Sequence, residues 1–411
     1  MELPLDRDAI EAACARIRDQ VANTPLTPDD RLSDQLGARV WLKHENLQDT
    51  GSFKLRGATH MLSRLMADSE PPTGVVAASA GNHAQAVALA ARRVGLPATV
   101  VMPRTAPLTK VAACRALGAG LEQVGSTLEE AAERARELAR ERGLAFVPPY
   151  DDWDVIAGQA SCGLEIHDAL PEAGTVVVPL GGGGLLSGIT LALRMRGSQA
   201  RIVGVQAEAV APWRHFLDNG EFEEIPSEAR TIADGIRVKA PGELTRQVIA
   251  AHVDAIVTVD EDAIARAILM LLEQTRTIGE GAGVVALAAL LDGRVAPRKN
   301  DDVVCVISGG NIDMSLVGRS IDFGLSASGR LLNVAVTLPD RPGSLAKLVQ
   351  TVAELEINVR DVRHRRGELH VPVGLTEITL ELETRDREHQ DKLLAKLDSL
   401  GLPARLLNRS S

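Results

Sequence analysis

The chain has 411 residues, of which 45% are hydrophobic and only 2% aromatic, and it carries a formal net charge of −10. That length exceeds what one ordinary core supports, so at least two domains are expected, packed with Leu, Val, Ile and Ala. Few aromatic stacking platforms, an acidic balance and no long Lys/Arg block exclude nucleic acid as an expected partner.

The first residues are acidic and helical in pattern, without the basic start and apolar run of a secretory signal. Nowhere do about 18 apolar residues run together, so no membrane span is expected and the protein reads as cytoplasmic. Cys14, Cys114, Cys162 and Cys305 are scattered without Cys-x-x-Cys spacing, which suits reduced core thiols better than a metal cage or disulfide framework.

From about residue 39 to 322, short apolar runs alternate with longer helical stretches. The runs at 75–78, 98–102, 175–180, 202–205 and 303–307 are rich in Val and Ile and lack polar alternation. Such runs suit strands buried on both faces of a parallel sheet, and their alternation with helices implies a layered α/β architecture. In the helix expected over 126–142, Ser126 and Glu129 read as a capping box and Gly143 as the stop. The pattern changes near 318–330. Beyond it the expected elements are a strand (332–338), the turn Asp340-Arg341-Pro342-Gly343, a helix (345–356), strands at 358–364 and 376–383, a helix (387–400) and a closing strand (404–407). That βαββαβ order is a small α+β domain of the ferredoxin-like sort.

Four short segments could carry chemistry. In Gly51-Ser52-Phe53-Lys54-Leu55-Arg56-Gly57 the lysine has an ordinary reading as a solvated charge. Ser79-Ala80-Gly81-Asn82-His83 joins a buried-type strand to a helix. It is either a plain turn with its cap or a place where backbone N–H groups meet an anion. Gly181, Gly182, Gly183 and Gly184 follow another such strand. Four glycines are costly in chain entropy, and what they provide is a loop without side chains whose N–H groups can close on a phosphate. Ser308-Gly309-Gly310-Asn311 ends the strand 303–307, and ligands of open α/β sheets bind at carboxyl ends of strands. A dinucleotide-binding reading of the glycine loop, with Glu208 as ribose-binding acid, fails on spacing: no Gly-x-Gly-x-x-Gly register fits, and Lys54 and Ser308 would have no role.

Together the four segments resemble the fold-type II pyridoxal-phosphate enzymes, and within them the threonine dehydratases (threonine ammonia-lyases). The likeness runs nearly end to end and takes in Ala157-Gly158-Gln159, Thr231-Ile232-Ala233-Asp234-Gly235 and Glu280-Gly281-Ala282-Gly283. The C-terminal unit with Asp340-Arg341-Pro342-Gly343 resembles an ACT domain, an amino-acid-sensing module. The resemblance implies a two-subdomain, tryptophan-synthase-β-like core over 1–325, with a smaller subdomain of about 52–146 inserted in the larger, and an ACT domain over 330–411.

It further implies that Lys54 carries the cofactor pyridoxal 5′-phosphate covalently and acts as base at Cα, with Phe53 beside the ring. Gly181, Gly182, Gly183 and Gly184 would hold the phosphate, Asn82 the 3-hydroxyl, and Ser308 would meet the ring nitrogen. Ser79, Ala80, Gly81, Asn82 and His83 would line the substrate carboxylate pocket. The implied reaction removes water from threonine, and from serine, giving a 2-oxo acid and ammonia. A serine racemase of the same family needs a serine as second proton carrier where Ala80 stands here, which places racemisation behind dehydration as the alternative. The remaining alternative is a non-catalytic amino-acid sensor. Some relatives hold a cation through a Glu at the Glu208 position with a carboxylate six residues on, where this chain has Arg214. In the ACT domain Asp340, Gly343 and Asn358 are the implied effector contacts, the last across an interface in a homo-oligomer, a dimer or tetramer.

Overall fold

The Val/Ile runs become strands with both faces buried, and they assemble into two parallel sheets. The computed structural model describes residues 5–222, 225–226, 229–239, 241–298, 301–365 and 371–407. The larger sheet runs β1 (Leu26–Pro28), β2 (Arg39–His44), β10 (Asp302–Ile307), β7 (Thr175–Pro179), β8 (Arg201–Ala207) and β9 (Ala255–Val259), parallel except at β1. The smaller sheet, wholly parallel, runs β5 (Gly120–Gln123), β4 (Ala98–Met102), β3 (Val75–Ala78) and β6 (Ala145–Phe146). Every residue of β3, β7 and β10 is buried, as parallel strands under helices on both faces must be. The chain leaves the larger sheet after β2, builds the smaller one and returns at β7, so the smaller is an insertion.

Leu, Val, Ile and Ala fill both faces of both sheets. Trp213, Phe216 and Phe222 gather in one cluster, with the Trp213 ring edge-on to both phenyl rings. Two glycines bring helices into backbone contact. A Cβ on Gly158 would lie 2.7 Å from the Gly57 Cα, and one on Gly57 would lie 2.8 Å from the Val155 carbonyl oxygen. The helix Lys54–Leu65 is thereby seated directly on the helix Trp153–Ala169.

One helix start differs from expectation. The capping box is Thr127 with Glu130, and the helix is Leu128–Arg142, one residue later than the Ser126/Glu129 pairing. The Glu130 carboxylate accepts both the Ser126 and Thr127 N–H groups, so Ser126 lies ahead of the cap. Gly143 ends the helix in the left-handed region, as expected.

The chain divides into two compact units, Met1–Asp313 and Met314–Ser411. The second begins with a helix, Met314–Ala327, over much of the stretch where the sequence pattern changes. Its antiparallel sheet has the order β12 (Asn358–Arg365), β13 (Leu375–Glu383), β11 (Leu331–Pro339), β14 (Ala404–Leu406). Helices Ser344–Glu354 and Arg387–Ser399 cover one face through Leu348, Val352, Leu393 and Leu397. This is the expected βαββαβ domain. Among the described residues no helix is long and apolar enough to cross a membrane.

Candidate active site

The Lys54 and Ser308 segments are stitched together. The Phe53 N–H donates to the Ser308 carbonyl (3.1 Å), the Gly310 N–H donates to the Gly51 carbonyl (2.9 Å), and Ser52 bridges Gly309. Lys54 opens its helix with its Nζ donating to the Pro149 carbonyl (2.6 Å) and lying 5.0 Å from the Phe53 ring centroid. Burial pushes this amine down to about 8, against the opposing pull of the Glu280 charge. An amine so placed is free of its proton far more often than a surface lysine.

The glycine loop follows β7. Its carbonyls are taken, with the Trp213 indole donating to Gly181 (2.8 Å) and the Thr245 hydroxyl to Gly182 (2.9 Å). The N–H groups of Gly182, Gly183, Gly184 and Leu185 have no partner among the described residues. Gly183 adopts φ +96 at the start of the helix Gly184–Met195. At Gly182 a Cβ would lie 2.3 Å from Cδ1 of Tyr150, so only a bare backbone fits under that ring. Orphaned donors at a helix N-terminus form an anion cradle.

Asn82 begins the helix Asn82–Val94 and lies between the two sheets' segments. Its Nδ2 donates to the Glu280 carboxylate (2.5 Å), and its Oδ1 accepts from Asn311 (2.8 Å). Glu280 stands at the residue before the helix Gly281–Leu291, and its side chain makes no capping bond to it. Burial, then the nearby Asp234 charge, pushes its carboxyl up to about 7. Ser308 is only 3% exposed, yet its hydroxyl has no protein partner among the described residues. In the 79–83 turn, Ser79 accepts the Gly81 N–H (3.1 Å). His83 turns inward: its Nε2 meets the Val147 carbonyl (2.9 Å), and burial together with the Lys54 charge pushes it down to about 3. The His83 ring is therefore neutral and occupied, while its backbone stays at the turn. Glu208 stands exposed after β8, and Arg214 bonds Asp218 and the Ile256 carbonyl. Among the described residues no group of three His, Cys, Asp or Glu side chains is placed to hold a metal ion.

Sequence reasoning missed the strap at 147–151. The Val147 carbonyl holds His83, that of Pro149 holds Lys54, the Tyr150 ring covers Gly182, and Asp151 accepts the Glu243 and Leu244 N–H groups (both 2.9 Å). The signal available was Pro148-Pro149, a pair that stiffens an extended turn without saying what it would touch. Also missed was a buried ionic cluster at the root of the Lys54 helix, where Arg56 bonds Glu45 and Glu165.

Residues 17–309 match the model of the pyridoxal-phosphate dependent enzymes, and residues 333–401 match the ACT domain. This chain belongs to the pyridoxal-phosphate-dependent enzymes. An L-threonine ammonia-lyase of Thermotoga maritima is 44% identical to it over 398 residues, 97% of this chain and 98% of that one. Among solved structures, threonine deaminase isoform 2 of Solanum lycopersicum is similar at 35% identity and TM-score 0.71, covering 79% of this chain and 90% of that one. Maize serine racemase is similar at 32% identity and TM-score 0.72, covering 78% and 98%. The cofactor of this family is pyridoxal phosphate. The site fits it on its own geometry: a lysine amine with a lowered pKa, a cradle of unpartnered N–H groups and a nearly buried, unpaired hydroxyl.

Proposed function

We propose that this chain is a threonine ammonia-lyase, which removes water from L-threonine, and from L-serine, and releases ammonia and a 2-oxo acid. The observation that carries the reading is Lys54, an amine pushed down to about 8 on a helix whose start is tied to the Ser308 segment. Similarity along the whole length of a curated threonine ammonia-lyase supports it.

In this reading Lys54 bonds the cofactor, Phe53 flanks the ring, and the N–H groups of Gly181, Gly182, Gly183 and Gly184 receive the phosphate. Bound pyridoxal phosphate supplies an electron sink for the charge that develops at Cα. With the cofactor bound, the Lys54 amine would take the Cα proton and, as the ammonium, return it to the departing β-hydroxyl, which would leave as water. Asn82 offers an N–H to the 3-hydroxyl. Ser308 faces the ring nitrogen with an uncharged group, unlike an ionised Asp, and so keeps the sink weak, which favours prompt elimination over a long-lived carbanion. Ser79, Ala80, Gly81, Asn82 and His83 receive the substrate carboxylate through the turn's N–H groups and the Ser79 hydroxyl. Ala80 offers no proton, which disfavours racemisation.

The ACT domain takes an amino-acid effector at the turn before the helix Ser344–Glu354. There Asp340, Gly343, His364 and Thr376 border a cavity of about 390 Å³. Asn358 donates to Glu383 in its own chain (2.8 Å) and would reach a ligand only across an interface. The same reading makes the protein a cytoplasmic homo-oligomer.

The test is steady-state turnover of L-threonine and L-serine, with and without isoleucine and valine, in wild type and Lys54→Ala. Turnover of threonine is expected, with a loss in the variant of more than about a hundredfold, since one residue supplies both the cofactor link and the base. A variant keeping more than about a hundredth of wild-type kcat overturns the assignment.

A further inference from the structure

Asn311 ends the Ser308-Gly309-Gly310-Asn311 segment, and its amide has one workable orientation. Its Nδ2 donates both to the Thr50 carbonyl (2.6 Å) and to Oδ1 of Asn82 (2.8 Å). Turned over, the amide would press its own oxygen against two acceptors and lose both bonds. The surrounding backbone makes room for it: the Gly310 N–H is held by the Gly51 carbonyl, and Gly51, at φ +69, has no Cβ to strike the Asn311 side chain.

The consequence passes to Asn82. With Oδ1 committed to Asn311, its Nδ2 must face the other way, toward Oε1 of Glu280 (2.5 Å). An amide nitrogen has two hydrogens, and Glu280 takes one. The other has no partner among the described residues. Asn82 comes from the smaller sheet's segment, whereas Asn311 and Glu280 come from the larger sheet's segments. The three side chains therefore form a chain of bonds between the segments of the two sheets.

We propose that Asn311 is a positioning residue: by holding Oδ1 of Asn82, with Glu280 opposite, it compels Asn82 to present an N–H donor, and not its oxygen, to the cofactor's 3-oxygen. This rests on the reading of Asn82 as a cofactor contact. A donor there favours the ionised 3-oxygen, whereas an oxygen there would repel it.

The experiment uses the pyridoxal-phosphate-loaded enzyme and four variants: Asn311→Ala, Asn311→Asp, Asn82→Ala and the double Asn82→Ala/Asn311→Ala. For each, the absorption band of the bound cofactor is followed against pH, the cofactor Kd is measured by titration with pyridoxal phosphate, and kcat/KM is determined. Asn311→Ala should raise the pKa read from the band and weaken the Kd and kcat/KM by about 10–150-fold, the worth of one hydrogen bond to a charged group. Asn311→Asp should be worse, because its oxygens face the Thr50 and Asn82 oxygens and would turn Asn82 over. In the Asn82→Ala background, loss of Asn311 should change each quantity by less than about twofold, because its effect runs through Asn82. Equal effects of Asn311→Ala in both backgrounds overturn the proposal while leaving Asn82 a cofactor contact. An Asn82→Ala enzyme with unchanged band and Kd overturns both, and is told apart by that single variant. Should Asn311→Ala fail to fold, Asn311→Ser, able to donate to Thr50 but too short for Asn82, takes its place in the same comparison.

Discussion

Replacing Arg56 by Met tests whether the buried ionic cluster holds the Lys54 helix in place. Arg56 and Glu45 are fully buried. The guanidinium forks onto Glu45 (2.7 and 2.8 Å) and onto Glu165 (2.6 and 2.8 Å), and donates to the Ser161 hydroxyl (3.0 Å). Lys43 completes the cluster by bonding Glu165 (2.5 Å), so two cations face two carboxylates. Methionine leaves both carboxylates with only Lys43, and an uncompensated buried charge costs about 3–5 kcal/mol. With about 2.1 cal/mol/K per residue over the 313-residue first unit, that is roughly 5–8 °C in Tm.

The loss should depend on pH. Burial raises the Glu45 carboxyl, but the charge and hydrogen bonds of Arg56 outweigh it and hold the group below its ordinary value. In wild type Glu45 therefore contributes stability above its unfolded pKa of about 4.5, lost as pH falls through the depressed folded value. Without Arg56, burial dominates, the folded carboxyl rises above the unfolded one, and stability falls as pH rises. Urea unfolding at pH 5 and pH 8 should thus show the larger gap at pH 8. Arg64→Met, which removes the half-exposed pairs with Asp154 and Asp68, should cost under about 1 kcal/mol. An Arg56→Met transition matching wild type, or a loss identical at both pH values, would refute the reasoning.

Gly182→Ala sets a methyl 2.3 Å from the Tyr150 ring and should weaken pyridoxal phosphate binding at least about tenfold while costing about 1–3 kcal/mol of stability; titration of the stripped enzyme with cofactor checks the first and urea unfolding the second, and wild-type affinity counts against the cradle. Covalent reloading of stripped enzyme needs the neutral Lys54 amine, so its rate should rise about tenfold per pH unit below 8 and level off above it. A rate still climbing past pH 9.5 would mean Lys54 titrates like an ordinary surface lysine.

Local pattern alone determined a good deal about this protein. The Val/Ile runs lie within a residue or two of β3, β4, β7, β8 and β10, because burial on both faces of a parallel strand leaves no polar alternation to misread. The C-terminal elements were legible for a similar reason, their period-two alternation marking one covered sheet face. The glycine loop and Ser308 stood out as unusual residue types at strand ends, whereas Lys54 by itself read as a solvated charge and gained its expected role only from the resemblance carried by the four segments together. The capping box slipped by one residue because Ser126 and Thr127 are equally good caps, and only the reach of Glu130 chose between them. What the tertiary structure alone decided are the pairings at long range. Arg56 meets Glu165 across 109 residues, Lys54 meets Pro149 across 95, and Asn311 meets Asn82 across 229. In the chain Arg56 looks like any surface charge and Asn311 like any turn residue. The partner of Arg56 is supplied by the packing of the helix Lys54–Leu65 on the helix Trp153–Ala169, and Asn311 is placed by strand order, which brings β10 from the end of the first unit to lie beside β2 from its start. Hydrogen-bond direction and buried charge are properties of such juxtapositions, and no local window of sequence contains both members.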